Sequence, residues 1–200
     1  MTTNATSTSE ANDERWPRPH RWTYAHFMQM ADIGLFENGR VELIEGEIIE
    51  MAPRDNRHAA AVSRIARELV RIFDESFFVK IQATVRLDDR TAPEPEFAVL
   101  PGSPTANRAS HPLPLLVVEV SNTTLTTDLD RKAELYAGFG IADYWVVNLV
   151  DRQVVVHREP VADSSGRRRG RYQDVRMGAN GVVRPLTNPQ DAIEVARLIV

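Results

Sequence analysis

Two hundred residues, 42% hydrophobic and 26% charged, have the size and composition of one soluble globular domain with a real core. The absence of cysteine excludes disulfides and thiolate chemistry, so any metal has to be held by oxygen or histidine nitrogen. A net charge of −4 argues against a protein that coats nucleic acid by bulk attraction, although local basic patches and acidic ligands can coexist under it.

No apolar run approaches the roughly 20 residues that span a bilayer, and the N-terminus shows no apolar secretory segment. No membrane association and a cytoplasmic location are the expectation.

Residues 1–15 are rich in Ser, Thr, Asn and charge and predict a disordered tail, which leaves 16–200 as one domain. Trp16 to His20, with two prolines, reads as an irregular lead-in. From Thr23 to Leu35, Phe27, Met28, Met30, Ala31 and Leu35 recur at helical spacing, with Thr23 as N-cap and Gly34 and Gly39 near the exit. The period then shortens. Val41–Ile44 and Glu47–Met51 read as two strands around a Glu45-Gly46 hairpin turn.

After Pro53 and Asp55 a helix is expected over about 56–73, with Ala60, Ile65, Leu69 and Ile72 as its apolar stripe. Residues 77–87 read as a strand, and Pro93-Glu94-Pro95-Glu96 leads into a short buried strand at 97–100. The segment 101–114, with four prolines, reads as a loop. A strand at 115–121, a helix over about 128–139 ending at Gly138 and Gly140, and a strand at 144–148 make a β-α-β unit. Gln153–His157 completes a hairpin across Asp151-Arg152, followed by a strand near 172–175 and an apolar tail at 193–200. The fold class is α/β, a central mixed sheet flanked by helices, with no internal repeat.

The segment 114–145 carries the chemistry. Leu115 to Val118 is an apolar β-run that ends in Glu119, and a carboxylate at the end of a buried strand is costly unless something pairs with it. A metal ion or a lysine would be such a partner. Asp128, Lys132 and Tyr136 fall on one face of the next helix. By spacing alone, Asp128 and Lys132 make either a surface ion pair or part of a site. Glu42 is either a solvent-facing glutamate or a site residue, and Glu96 lies beside a buried strand. His58, at a helix start, is either a surface residue or a phosphate contact or ligand. Gln82 is either a sheet-edge polar residue or points to the same site. Tyr136 and the Tyr144-Trp145 pair read as core. Arg167, Arg168, Arg169 and Arg171 read as a solvated hairpin loop or a phosphate contact.

The segments Val41–Ile48, Pro93–Leu100, Val117–Ser121, Asp128 through Lys132 to Tyr136, and Asp143–Trp145, taken in this order, resemble the Uma family of restriction-endonuclease-like bacterial proteins in the PD-(D/E)XK nuclease superfamily. The resemblance covers about residues 22–160. It implies a restriction-endonuclease-like core and hydrolysis of DNA phosphodiester bonds with Mg²⁺ or Mn²⁺. It implies that Glu42, Glu96 and Glu119 hold the metal and act in catalysis with Lys132 assisting, and that Asp128 accompanies the lysine. The superfamily's usual lysine position falls on Ser121, so Lys132, from the following helix, takes that role. The family usually has aspartate where this chain has Glu96. A second reading is a nuclease fold that binds nucleic acid or another partner without turnover, and a third is a hydrolase of a small phosphodiester. Folds of this type often dimerise, and the hairpin edges and the apolar C-terminal tail are the segments available for a homodimer.

Overall fold

A computed structural model of the chain describes residues 18–37, 39–122, 124–163 and 168–199. The expected tail at 1–15, Trp16 and Arg167 lie outside them. Helix α1 (Tyr24–Asp32) starts at Thr23, whose side chain accepts from the His26 N–H. It buries Phe27 with Leu43 and Ala92 beneath the hairpin of β1 (Val41–Ile44) and β2 (Glu47–Glu50). Glu45 (φ +50°) and Gly46 (φ +79°) make the tight turn. Helix α2 (Asn56–Ile72) is capped by Asp55, which accepts from the His58 N–H at 2.7 Å.

The main sheet has six strands in the order β3 (Phe77–Ile81), β4 (Phe97–Pro101), β5 (Leu116–Ser121), β6 (Asp143–Asn148), β7 (Gln153–Ala162) and β8 (Gly170–Gly178). Only β5 and β6 pair in parallel; the other neighbours are antiparallel. The parallel pair needs a crossover. A π-helical turn (Thr127–Lys132) running into helix α4 (Ala133–Gly138) supplies it.

Alternation along β5 sends Leu116, Val118 and Val120 to one face, where Ile65, Leu69 and Ile72 of α2 cover them. Val117 goes to the other face, beneath Leu135, Tyr136 and Ala137 of α4. Every residue of β5 and of β6 is buried, as expected of the two central strands. No helix among the described residues is long and apolar enough to cross a membrane.

Four sequence expectations change. The strand expected over 77–87 stops at Ile81, because Gln82 turns to a left-handed backbone (φ +48°). The expected loop 101–114 contains helix α3 (Pro104–Ser110), started by Ser103 as N-cap and Pro104 in its first turn. The helix expected from about 128 opens with a π-helical turn instead of an α-helical one. The C-terminal tail, one of the segments available for a homodimer, folds back. It pairs β10 (Ile193–Glu194) with β9 (Val182–Val183), then forms helix α5 (Val195–Leu198) and buries Ile193, Val195, Leu198 and Ile199 in this chain's own core.

Two glycines near the end of α4 act differently. A Cβ on Gly140 would meet nothing within 4 Å, and its constraint is a φ of +74°. A Cβ on Gly138 would stand 2.5 Å from the Arg168 carbonyl and 2.6 Å from the Arg169 nitrogen, where the backbone leading into β8 crosses the helix. Gly138→Ala is expected to lower stability by about 1–3 kcal/mol through overpacking. Gly140→Ala should lower it by about 1–2 kcal/mol through backbone strain alone. Urea unfolding gives both values, and loss of native far-UV signal or helix–sheet contact is expected only in the first.

Candidate active site

Glu119 follows Val117 by two residues and shares its face, so its carboxylate lies under the π-helical turn and α4 with 1% of the residue exposed. Its Oε1 accepts from Lys132 Nζ at 2.8 Å and from the Tyr136 hydroxyl at 3.0 Å. Lys132 also donates to Glu42 Oε1 at 3.1 Å. That same oxygen accepts from the Glu94 N–H at 3.1 Å. The spacing that left Lys132 between a surface pair and a site is thereby resolved in geometry, since its ammonium reaches strands β1 and β5 and lies inside the cleft.

Asp128 is buried on the same turn, and its Oδ2 accepts from Thr124 Oγ1 at 2.6 Å. The Tyr144 hydroxyl donates to the Asp128 carbonyl at 2.8 Å and ties the π-helical turn to the sheet. Asp128 and Lys132 both lie on this π-helical turn, and π-turns of this kind recur at functional sites.

Glu96 enters from the start of β4, which runs antiparallel to β5. Its Oε1 lies 3.1 Å from His58 Nε2 and 3.6 Å from an Arg54 terminal nitrogen, and its Oε2 accepts from the Val120 N–H at 3.3 Å. His58 therefore belongs to the site, on the first turn of α2, and its Nδ1 is buried with no hydrogen-bond partner among the described residues. Arg54 and Arg40 both pair with Glu94, at 3.4 Å and 2.8 Å.

These groups line a cleft of about 360 Å³, together with Asp55, Asn122, Thr124 and Arg131. Glu42, Glu96, Glu119, Asp128, His58 and Lys132 all meet there; Gln82 does not, and only its backbone N–H touches the site, by donating to the Glu96 carbonyl at 2.9 Å.

Electrostatics divides the carboxylates. Burial would raise Glu96, but hydrogen bonding with Glu119 and His58, helped by the Lys132 charge, holds it well below the usual carboxylate range. Burial pushes Glu119 well above that range; Lys132 opposes the shift and the neighbouring Glu96 charge adds to it. The two neighbouring carboxyls are thus pushed in opposite directions, Glu96 down and Glu119 up. Burial also raises Asp128 against the pull of Lys132. For Lys132 itself, burial disfavours the charge, but Glu119, Glu42 and Asp128 outweigh it and keep the ammonium protonated. Burial, then the Glu119 charge, keeps Tyr136 a neutral phenol and hence a donor.

Among the described residues no group of three histidine, aspartate or glutamate side chains is arranged to hold a metal ion. The adjoining pair Glu96 and Glu119 still suits Mg²⁺, which keeps several waters and takes one or two carboxylates from the protein. Arg54, Thr124 and the Tyr136 bond to Glu119 escape a sequence reading. Only the helical spacing of Tyr136 from Lys132 hints at one of them.

No functionally curated protein matches the chain. Among solved structures, the 1.96 Å crystal structure of a "putative nuclease belonging to DUF820" from Anabaena variabilis ATCC 29413 matches with a TM-score of 0.62, covering 88% of this chain and 96% of that one at 15% identity. At that identity the likeness carries the fold. The family model Uma2, described as "Putative restriction endonuclease", matches residues 24–191, and the chain belongs to this family.

Proposed function

We propose that the protein is a metal-dependent nuclease that hydrolyses DNA phosphodiester bonds, with Glu96 and Glu119 as the metal-holding pair. The observation that carries this reading is Lys132 Nζ, held 2.8 Å from Glu119 in a cleft that also contains Glu96. A Mg²⁺ or Mn²⁺ ion bound by the pair would polarise the phosphodiester and make an attacking water more acidic. The protein's own groups supply the rest. Glu42 anchors Lys132 from β1, and Lys132, kept protonated, faces the cleft as a fixed positive charge for a phosphate oxygen. His58 and the Val120 N–H fix the Glu96 carboxyl, and Tyr136 fixes that of Glu119. Ser121, at the superfamily's lysine position, lies 3.5 Å from Thr124 and supports the Asp128 turn.

The lack of a three-carboxylate group among the described residues favours a second reading, a nuclease fold that binds without turnover. The test uses circular DNA, single-stranded and supercoiled duplex in separate arms, with Mg²⁺ or Mn²⁺. Wild type is expected to linearise or nick at least one of them. Glu119→Gln and Lys132→Met should each reduce the rate by about 100-fold or more. Absence of cleavage in both arms, together with no calorimetric Mn²⁺ binding, would sink the hydrolytic reading.

Stability reads the same constellation independently of turnover. Lys132→Met leaves Glu42 and Glu119 buried without their cation, and urea unfolding at neutral pH should show a loss of about 3–5 kcal/mol. Lys132→Arg, which keeps the charge, should lose less. Equal stability of Lys132→Met and wild type would mean that the ammonium lies outside the cleft in solution.

A further inference from the structure

The cleft does not end at Lys132. A second cavity, of about 330 Å³, begins on the other side of the Lys132–Glu42 contact, and Arg131 lines both. Arg169 closes the far end of that second cavity and opens a third, of about 290 Å³, which reaches Arg171. The three form one trough with unlike lips. Along the first two cavities the β1–β2 hairpin contributes Glu45, Glu47 and Glu50, with Arg40 beside them, whereas the π-helical turn and β8 side contributes Arg131, Arg169 and Arg171. Glu134 and Asp163 line the third cavity beside Arg169 and Arg171. Arg131 and Arg171 are exposed and have no ion pair among the described residues. Arg169 reaches Glu134 at 3.1 Å and Glu45 at 3.6 Å, exposed contacts that a phosphate can replace at small cost.

A duplex lying across this trough would set one strand's phosphates against the acidic lip. Duplex binders that depend on the backbone typically neutralise about 6–10 phosphates, and the trough offers far fewer uncommitted cations. A single strand can follow the basic lip alone. No Phe, Tyr or Trp side chain lines the three cavities, so the grip falls on phosphates rather than on stacked bases.

We propose that the substrate is a single-stranded polynucleotide, its phosphates running along Arg131, Arg169 and Arg171 with one phosphodiester beside Lys132. This rests on the nuclease reading above. It also gives the arginine-rich β7–β8 connection a role in binding.

The test measures fluorescence anisotropy with Ca²⁺ replacing Mg²⁺, on a 20-nucleotide deoxyribo-oligonucleotide, the ribo-oligonucleotide of the same sequence, and the blunt DNA duplex. At least one single strand is expected to bind about tenfold more tightly than the duplex, and comparison of the two identifies which sugar is accepted. Arg131→Ala and Arg171→Ala should each reduce the salt slope by about 0.7, the share of one single-strand phosphate. Arg71→Ala, on the outer face of α2, should leave it unchanged. Duplex binding equal to or tighter than both single strands, no binding of any of the three, or an unchanged slope in both trough variants overturns the proposal. A cleavage arm in Mg²⁺ keeps the two readings apart. Single-strand preference without cleavage leaves this inference standing and removes hydrolysis, whereas faster cleavage of the duplex leaves hydrolysis and removes this inference.

Discussion

One buried ammonium group organises the candidate site. Lys132 sits at the junction of a π-helical turn and a helix, and its two partners come from the hairpin strand β1 and the central strand β5. Burying a carboxylate or an ammonium alone costs several kcal/mol, and mutual attraction offsets that only when the geometry is good and the remaining lone pairs are satisfied. Both conditions hold. Glu119 has Tyr136 as a second donor, and Glu42 has the Glu94 N–H. The β1–β2 hairpin is a separate two-stranded sheet, tied nearby by backbone hydrogen bonds between Leu43 and Ala92. The Lys132–Glu42 contact is a further link between the hairpin and the central strand β5, through Glu119.

That constraint crowds charge into one place. Four carboxyls (Glu42, Glu96, Glu119 and Asp128) line the cleft together with Lys132, His58 and the guanidiniums of Arg40, Arg54 and Arg131. Burial raises both Glu119 and Asp128 against the pull of Lys132. Isolated stability would favour replacing such groups with apolar ones of the same shape. A chain that keeps them at the centre of its sheet accepts a cost that is unnecessary for folding, a pattern associated with functional sites.

The parts of this arrangement that the sequence reveals are those set by short-range pattern. The hairpin turn at Glu45-Gly46, the Thr23 cap and the apolar run that ends in Glu119 are local, and the structure has each of them. What the sequence leaves open is set by long-range contacts. Asp128 and Lys132 stand four apart whether they pair on the surface or turn inward, and only the packing of the π-helical turn against Tyr144 decides it. His58 is a helix-start histidine in sequence, and it enters the site because β4 brings Glu96 to the same end of α2. Residues 82–87 keep a strand-like pattern, yet Val85 and Leu87 direct their N–H groups to the Pro93 and Thr91 carbonyls rather than into the sheet. The C-terminal tail is apolar for a reason internal to the chain, the covering of α2 and the sheet, and its composition alone cannot distinguish that from an interface.

Glu96 shows how local and long-range constraints combine. A glutamate in place of an aspartate carries its carboxyl on the order of 1 Å farther from the backbone, and Mg²⁺ tolerates little error in ligand position. In this chain the longer side chain is not free to sample that reach. His58 from α2 holds one oxygen and the Val120 N–H from β5 holds the other, so the carboxyl is fixed from two elements at once. Arg54 adds positive charge 3.6 Å from the oxygen that faces His58. Each of these contacts favours the ionised form of Glu96, whereas burial raises Glu119. The extra methylene is thus accommodated by a dedicated set of donors rather than by slack in the cleft. The same donors make the two carboxyls unequal.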